Sequence, residues 1–125
     1  MKHICTSFQK LRIDDEIILT IGNFDGIHKG HGDILSRIKK EAKNLNLKAA
    51  ILSFNPHPKI YFNDEKNFLI NSKSKKFSTL ERMGIDYLIE LDFNEDLINL
   101  SFNDFEQSIL IEKLNIKKLY LGKDF

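Results

Sequence analysis

The stretch EIILTIGNFDGIHKGHGDIL, residues 16–35, decides the fold because its hydrophobic period changes partway along. Glu16 to Ile21 is a short, β-branched apolar run closed by Gly22, which is typical of a strand buried on both faces. From Gly30 onward, apolar side chains recur every three or four residues, as they do in an amphipathic helix. The stretch therefore predicts a buried strand, a glycine-containing turn and a helix.

Strand and helix patterns alternate along the rest of the chain. Lys48 to Phe54 predicts a second buried strand, and a helix from about Ser72 ends at Gly84, a suitable C-terminal cap. A third strand is predicted over Tyr87–Leu91, and a fourth ends at Leu119–Leu121. Between them, a helix is predicted from a capping box at Ser101 and Asp104 to Leu114. The apolar side chains expected to face the core from this helix are Phe102, Phe105, Ile109 and Leu110. This alternation predicts an α/β fold, a Rossmann-like open and mostly parallel sheet with helices on both faces.

Length and composition narrow the class of protein. The 125 residues fit one domain, and 19 Lys and Arg against 18 Asp and Glu leave a net charge of +1, too little to attract a nucleic acid. The single cysteine, Cys5, excludes an intramolecular disulfide and indicates a reducing compartment. With His3, it lies on an N-terminal strand-like segment, and both are interpreted as packing residues. No apolar run approaches the roughly 18 residues of a membrane span, so we expect a cytoplasmic protein without a membrane or nucleic-acid partner.

The turn after the first predicted strand is suited to an anion. Ligands of open parallel sheets bind beyond the carboxyl ends of the strands, and a helix N-terminus there offers unpaired N–H groups and a positive dipole. Gly22, Gly26 and Gly30 would let the backbone approach a phosphate closely. His28 and His31 would add side-chain donors, and charge when protonated, where phosphoryl transfer needs them.

Other interpretations of this turn are weaker. The sequence contains neither the G-x-x-x-x-G-K-[ST] of a P-loop nor the G-x-G-x-x-G of a dinucleotide fold. Zinc is a rival, because His28 and His31 could join Cys5 or His57 as ligands, but no second cysteine and no H-E-x-x-H helix accompanies them. A chance arrangement of histidine and glycine is the remaining alternative.

Three motifs resemble those of a known family. Gly22–Gly26 (GNFDG) followed by His28–His31 (HKGH) resembles the signature of the HxGH nucleotidyltransferase superfamily. Within it, NFDG and the later Ser53–Pro58 (SFNPHP) resemble the bacterial bifunctional riboflavin kinase/FMN adenylyltransferases, or FAD synthetases. Leu121–Phe125 (LGKDF) is similar to the G-x-D-F segment of that family. The resemblance extends over nearly the whole chain.

The resemblance implies that AMP is transferred from ATP to FMN, giving FAD and pyrophosphate, with Mg²⁺ on the triphosphate. It assigns catalysis to His28, His31 and Asn55, nucleotide or flavin binding to Gly22, Asn23, Phe24, Asp25, Gly30, His57 and Asp124, and a Mg²⁺ contact to Asn55. Asp25 is equally suited to capping the turn. The segment from Asn55 to Pro58, taken alone, also fits a proline turn leaving a strand.

The sequence also departs from the family pattern. Family members continue past G-x-D-F to a Ser-Ser-Thr-x-Ile-Arg motif and a riboflavin kinase barrel, neither of which occurs in these residues. We therefore expect residues 1–125 to form an adenylyltransferase domain that is truncated on its C-terminal side, lacks the kinase domain and lacks part of the triphosphate site. Two alternatives stay open: a related transferase with another phosphate acceptor (phosphopantetheine, nicotinamide mononucleotide or a phosphoglycerol), or a non-catalytic nucleotide-binding module. Gly32 stands where the family often has glutamine.

Overall fold

A computed structural model describes residues 1–22, 29–55 and 72–121 of the chain, with the backbone alone at 29–31 and 72–76. The elements, in chain order, are β1 (Lys2–Thr6), β2 (Glu16–Ile21), α1 (Lys29–Leu45), β3 (Lys48–Asn55), α2 (Ser72–Arg82), β4 (Tyr87–Asp92), α3 (Glu95–Ile98), α4 (Phe102–Asp104), a π-helical segment (Phe105–Ile111) and β5 (Asn115–Leu121). The predicted alternation of strands and helices is confirmed.

The five strands form one sheet in the order β1-β4-β3-β2-β5, and every neighbouring pair is parallel. The runs that predicted strands are buried as expected, because Ile17–Ile21 of β2 and Ala49–Ser53 of β3 are shielded from solvent on both faces. This confirms the predicted open parallel α/β sheet.

Helices cover both faces of the sheet. Beneath α1 and α2, one core contains Ile18, Leu35, Ile38, Ile51, Leu80 and Leu88. The opposite core contains Leu19, Leu52, Ile89, Leu97, Ile109 and Leu110, the last three from α3 and the π-helical segment. Because strand side chains alternate between faces, odd-numbered β2 residues enter one core and Ile18 enters the other. The face beneath α1 and α2 is called the α1/α2 face below.

Gly84 ends α2 as the sequence predicts. Its φ of 82° lies in the left-handed region. Its N–H donates to the Glu81 carbonyl at 3.1 Å, and the Ile85 N–H donates to the Leu80 carbonyl at 3.1 Å. These two bonds form a Schellman motif, which satisfies carbonyls that the helix end would otherwise leave unpaired. Asn46, with a φ of 57°, has the same left-handed conformation just after α1.

The predicted helix from Ser101 to Leu114 is only partly correct. Ser101 is the N-cap, since its Oγ accepts the Asp104 N–H at 3.1 Å. However, α4 lasts one turn, and the chain then widens into the π-helical segment, which ends before Leu114. Phe102 is 76% exposed, so its predicted place in the core stripe is wrong. The rest of the predicted stripe is confirmed, because Ile109 and Leu110 are in the core and Phe105 packs against it.

The N-terminal segment is a strand, as predicted, but His3 and Cys5 are not packed in the core. Both residues are exposed on β1, which pairs only with β4 in the described part of the sheet. The interpretation of these two as packing residues is only partly correct: the His3 ring contacts Phe77 of α2, but neither residue is enclosed, because β1 is an edge strand.

Candidate functional site

Two predicted site residues lie at the same edge of the sheet. Gly22 directly follows β2, and its N–H donates to the Leu52 carbonyl at 2.9 Å. Asn55 is the last residue of the neighbouring strand β3, and its carbonyl accepts the Phe93 N–H at 3.0 Å. Since β2 and β3 are adjacent and parallel, Gly22 and Asn55 mark the carboxyl edge where ligands of such sheets bind.

The start of α1 has the composition of an anion site. The helix begins at Lys29, which places Gly30 and His31 in its first turn, and that turn contains no acidic residue. Carboxylates normally stabilise this positive end of a helix, whereas cations there are unfavourable. A glycine inside a helix costs up to about 1 kcal/mol relative to alanine. This turn is therefore a poor helix start by itself, and an anion bound at it would compensate for the cost.

Several predicted site residues lie outside the described part of the chain. These are Asn23, Phe24, Asp25, His28, His57 and Asp124, and the side chain of His31 is likewise not described. Their roles stay predictions from the sequence: those of His28 and His31 rest on the chemistry of the turn and on the resemblance, and the others on the resemblance.

Three buried polar side chains lie near the strand ends, and only one of them, Ser53, was named from the sequence, as the first residue of the SFNPHP motif. Thr20, Ser53 and Glu90 are between 0% and 6% exposed. Thr20 Oγ1 and Ser53 Oγ have no hydrogen-bond partner within the described ranges. Buried hydroxyls are normally bonded, so each of these two can pair with a group outside the described ranges or with a ligand at this end of the sheet. The signal was available: each residue is the one polar position inside an otherwise apolar run.

An oxygen-rich pair stands at the carboxyl edge. Asn55 and Asp92 are register partners on β3 and β4, and neighbouring strands lie about 4.8 Å apart. By strand alternation both belong to the α1/α2 face, the side of Leu88 and Glu90. Asn55 is half-buried and Asp92 is exposed. An amide oxygen beside a carboxylate is the kind of ligand that Mg²⁺ prefers, so this pair could hold that ion.

The opposite end of β4 carries a structural contact. The Tyr87 hydroxyl donates a hydrogen bond to the Asp15 carboxylate. That bond, together with burial and the negative charge of Asp15, raises the pKa of Tyr87 to about 12. Because Tyr87 is the first residue of β4, this pair lies away from the carboxyl edge and has no part in the candidate site.

An open parallel sheet with helices on both faces is the architecture of the Rossmann-like α/β proteins, whose ligands bind beyond the carboxyl ends of the strands. The family model described as FAD synthetase matches residues 10–125 of the chain. The chain belongs to the FAD synthetase family, which confirms the resemblance found in its motifs.

Named relatives agree with this family. The bifunctional riboflavin kinase/FMN adenylyltransferase of Pseudomonas fluorescens is 34% identical over 108 residues, which are 86% of this chain and 35% of that protein. The protein of the same name from Buchnera aphidicola subsp. Schizaphis graminum is 34% identical over 115 residues, 91% of this chain and 37% of that protein. The protein of the same name from Escherichia coli K12 is 31% identical over 109 residues, which are 86% of this chain and 35% of that protein. The chain thus spans about a third of the length of these curated relatives.

A solved structure has the same fold. The crystal structure of a protein named "Macrolide-efflux Protein from Streptococcus pneumoniae" matches with a TM-score of 0.83 and 27% identity, covering 98% of this chain and 48% of that one. The likeness supports the α/β architecture, and the efflux activity in that name belongs to the Streptococcus pneumoniae protein. Among the residues described for this chain, no helix is long and apolar enough to cross a membrane.

Proposed function

We propose that this chain is the adenylyltransferase region of an FAD synthetase, which transfers AMP from ATP to FMN. The observation that carries the proposal is the FAD synthetase match over residues 10–125, on a sheet whose carboxyl edge holds Gly22 and Asn55. The names of the relatives add FMN as the acceptor and riboflavin kinase as a companion activity. For this chain the FMN substrate, the FAD product and a fused kinase are part of the proposal.

The reaction needs alignment and charge neutralisation more than a base. A phosphate oxygen of FMN attacks the α-phosphorus of ATP, a new P–O–P bond forms, and the bond to the β-phosphate breaks to release pyrophosphate. The second pKa of a phosphate monoester is about 6, so the attacking oxygen is already anionic at neutral pH. Charge that accumulates on the triphosphate is stabilised by donors fixed in place beforehand.

Each candidate residue has a place in this scheme. The first turn of α1 supplies backbone N–H groups to the phosphates, because the N–H groups of a helix start have no partner within the helix. We assign phosphate binding to His28 and His31, with close approach of the backbone at Gly30. Gly22, Asn23 and Phe24 would line the adenosine end of the nucleotide. Asn55 and His57 would contact the flavin phosphate or the metal, and Asp124 would contact the ribose or adenine. Asp25 caps the turn or joins the nucleotide site.

Magnesium fits the oxygen donors at this edge. The amide of Asn55 and the carboxylate of Asp92 would hold the ion through their oxygen atoms. When bound, Mg²⁺ neutralises charge on the triphosphate and on the leaving pyrophosphate. The cytoplasm, which is reducing and contains Mg-ATP, is the compartment we propose, in agreement with the single cysteine.

A binding and turnover assay tests the proposal. The purified chain is titrated with Mg-ATP and with FMN by calorimetry, and FAD formation is followed chromatographically in the presence of pyrophosphatase. We expect both ligands to bind and FMN to be preferred over phosphopantetheine, nicotinamide mononucleotide and glycerol phosphate. Binding without any FAD would favour the non-catalytic module, and failure to bind either ligand would overturn the proposal.

Two lysines on the same helix provide a matched control. Lys29 begins α1, whereas Lys40 lies eleven residues further along, about 16 Å at 1.5 Å per residue, and is exposed. Lys29→Gln should weaken Mg-ATP binding several-fold, and Lys40→Gln should leave it unchanged. His31→Gln should reduce both binding and turnover. Equal effects of the two lysine substitutions would contradict an anion site at the start of α1.

A further inference from the structure

Three chemically distinct side chains meet on the edge of the sheet next to α2. His3 and Cys5 are two residues apart on β1 and therefore share a face, and Glu90 on β4 is the register partner of Cys5. The ring of Phe77, from α2, packs against the His3 ring with centroids 4.4 Å apart. The cluster of His3, Cys5 and Glu90 therefore lies on the α1/α2 face, one strand away from Asn55.

The geometry of the cluster is convergent. His3 Nε2 contacts the Glu90 carboxylate, and Cys5 Sγ lies 3.3 Å from the same nitrogen. The ligand atoms of the three side chains are all within 4.8 Å of one another. A catalytic relay would place the carboxylate on one imidazole nitrogen and the nucleophile on the other. Here both neighbours approach Nε2, so this nitrogen cannot relay a proton from one to the other, and three metal-ligating atoms lie close together at the edge of the sheet.

We propose that His3, Cys5 and Glu90 form a binding site for a divalent transition-metal ion of the zinc class. Tetrahedral Zn²⁺ with ligands at 2.0–2.3 Å separates its donor atoms by about 3.3–3.8 Å. The Cys5–His3 distance of 3.3 Å already matches this separation, and the Glu90 carboxylate, which contacts His3 Nε2 more closely, would move outward when the ion binds. Thiolate and imidazole select zinc-class ions over Mg²⁺ and Ca²⁺, which bind oxygen. The site is thus chemically distinct from the Mg²⁺ pair proposed at Asn55 and Asp92.

Burial supports a charged ligand at this position. The Glu90 side chain is 8% exposed, and a buried carboxylate needs a cation or strong donors to offset its lost hydration. The His3 side chain is 32% exposed and Cys5 is exposed, so solvent reaches the cluster from the edge of the sheet. Three protein ligands with a fourth position accessible to water is the arrangement of an open zinc site. The ion would also tie β1 to β4, its one strand partner in the described sheet.

Cobalt titration tests the site. The untagged protein is reduced with a phosphine, since an added thiol would compete for metal, and is titrated with Co²⁺. We expect a thiolate-to-cobalt charge-transfer band in the near ultraviolet, visible absorption typical of tetrahedral Co²⁺, and loss of both on adding one equivalent of Zn²⁺. Because Cys5 is the one cysteine in the sequence, the charge-transfer band reports metal bound at Cys5, and the variants below identify the side chains that complete the site.

Variants separate a metal site from a hydrogen-bonded cluster. Cys5→Ser should abolish the charge-transfer band, and His3→Gln and Glu90→Gln should each weaken Co²⁺ binding by at least about 10-fold, the lower limit for losing even an outer-sphere partner. His31→Gln should leave the band unchanged. If the buried Glu90 variant fails to fold, Cys5→Ser and His3→Gln on the exposed edge still decide the question. Cobalt binding without the band, or a band insensitive to His3→Gln, would overturn the proposal.

Discussion

Alanine at Gly84 should destabilise the protein by about 1 kcal/mol. The φ of 82° costs an L-residue about 1–2 kcal/mol, while alanine returns about 0.4–1 kcal/mol by restricting the unfolded chain. The new Cβ would lie 2.8 Å from Lys39 Cε, the far part of a flexible side chain that can move aside. The net effect corresponds to a fall in Tm of about 3–6 °C for a domain of this length.

Gly32 gives the matched control, because alanine at this position should raise the stability of the protein instead of lowering it. An added Cβ at Gly32 meets nothing within 4 Å in the described structure, and its φ is not in the left-handed region. Gly32→Ala should therefore stabilise the protein by up to about 1 kcal/mol. Urea unfolding followed by circular dichroism, with equal m values, measures both changes. An unchanged or more stable Gly84→Ala variant would refute the account of the α2 cap.

Two further predictions concern contacts outside the site. The pKa of Tyr87 is raised from 10.0 to about 12 in the folded protein, so its bond to Asp15 adds stability below pH 10 that is lost as the pH rises toward 12. Tyr87→Phe should flatten that part of the alkaline unfolding profile, and a variant with the parental profile would contradict the contact. Ser101→Ala should lower the free energy of unfolding by about 1 kcal/mol, because the Asp104 N–H loses its hydrogen-bond acceptor. Urea denaturation measures this change, and an unchanged free energy of unfolding would indicate that water fully replaces Ser101 Oγ.

The sequence predicted those elements whose hydrophobic pattern is local and strong. β2 and β3 are continuous apolar runs, and Gly84 occupies the one backbone position that favours glycine at the end of α2. The predicted length of the helix after Ser101 was wrong, because the change to π-helical turns depends on tertiary packing, which overrides the 3.6-residue period of the sequence. Phe102 lies in the single turn before that change and is exposed, whereas Ile109 and Leu110 within the π-helical segment are buried as predicted.

The candidate site was predictable in its position but not in all of its members. Glycine after one buried strand and Asn55 after the next predicted a shared carboxyl edge, since parallel strands end together. The convergence of His3, Cys5 and Glu90 was not predictable, because it depends on β1 pairing with β4 across more than 80 residues of sequence. No local pattern encodes which strand an edge strand joins.

Strand β5 has a consequence for how the protein behaves in concentrated solution. It pairs with β2 on one side, and no other described strand flanks it; Leu119 is 38% and Leu121 is 56% exposed along it. An open edge with apolar side chains offers its backbone groups to any extended peptide, including the same edge of another molecule. Lys118 is ion-paired with Glu41, whereas Lys117 is 3.8 Å from the exposed Glu16 and places a positive charge on that approach. Replacing Lys117 should therefore promote self-association well before it affects folding.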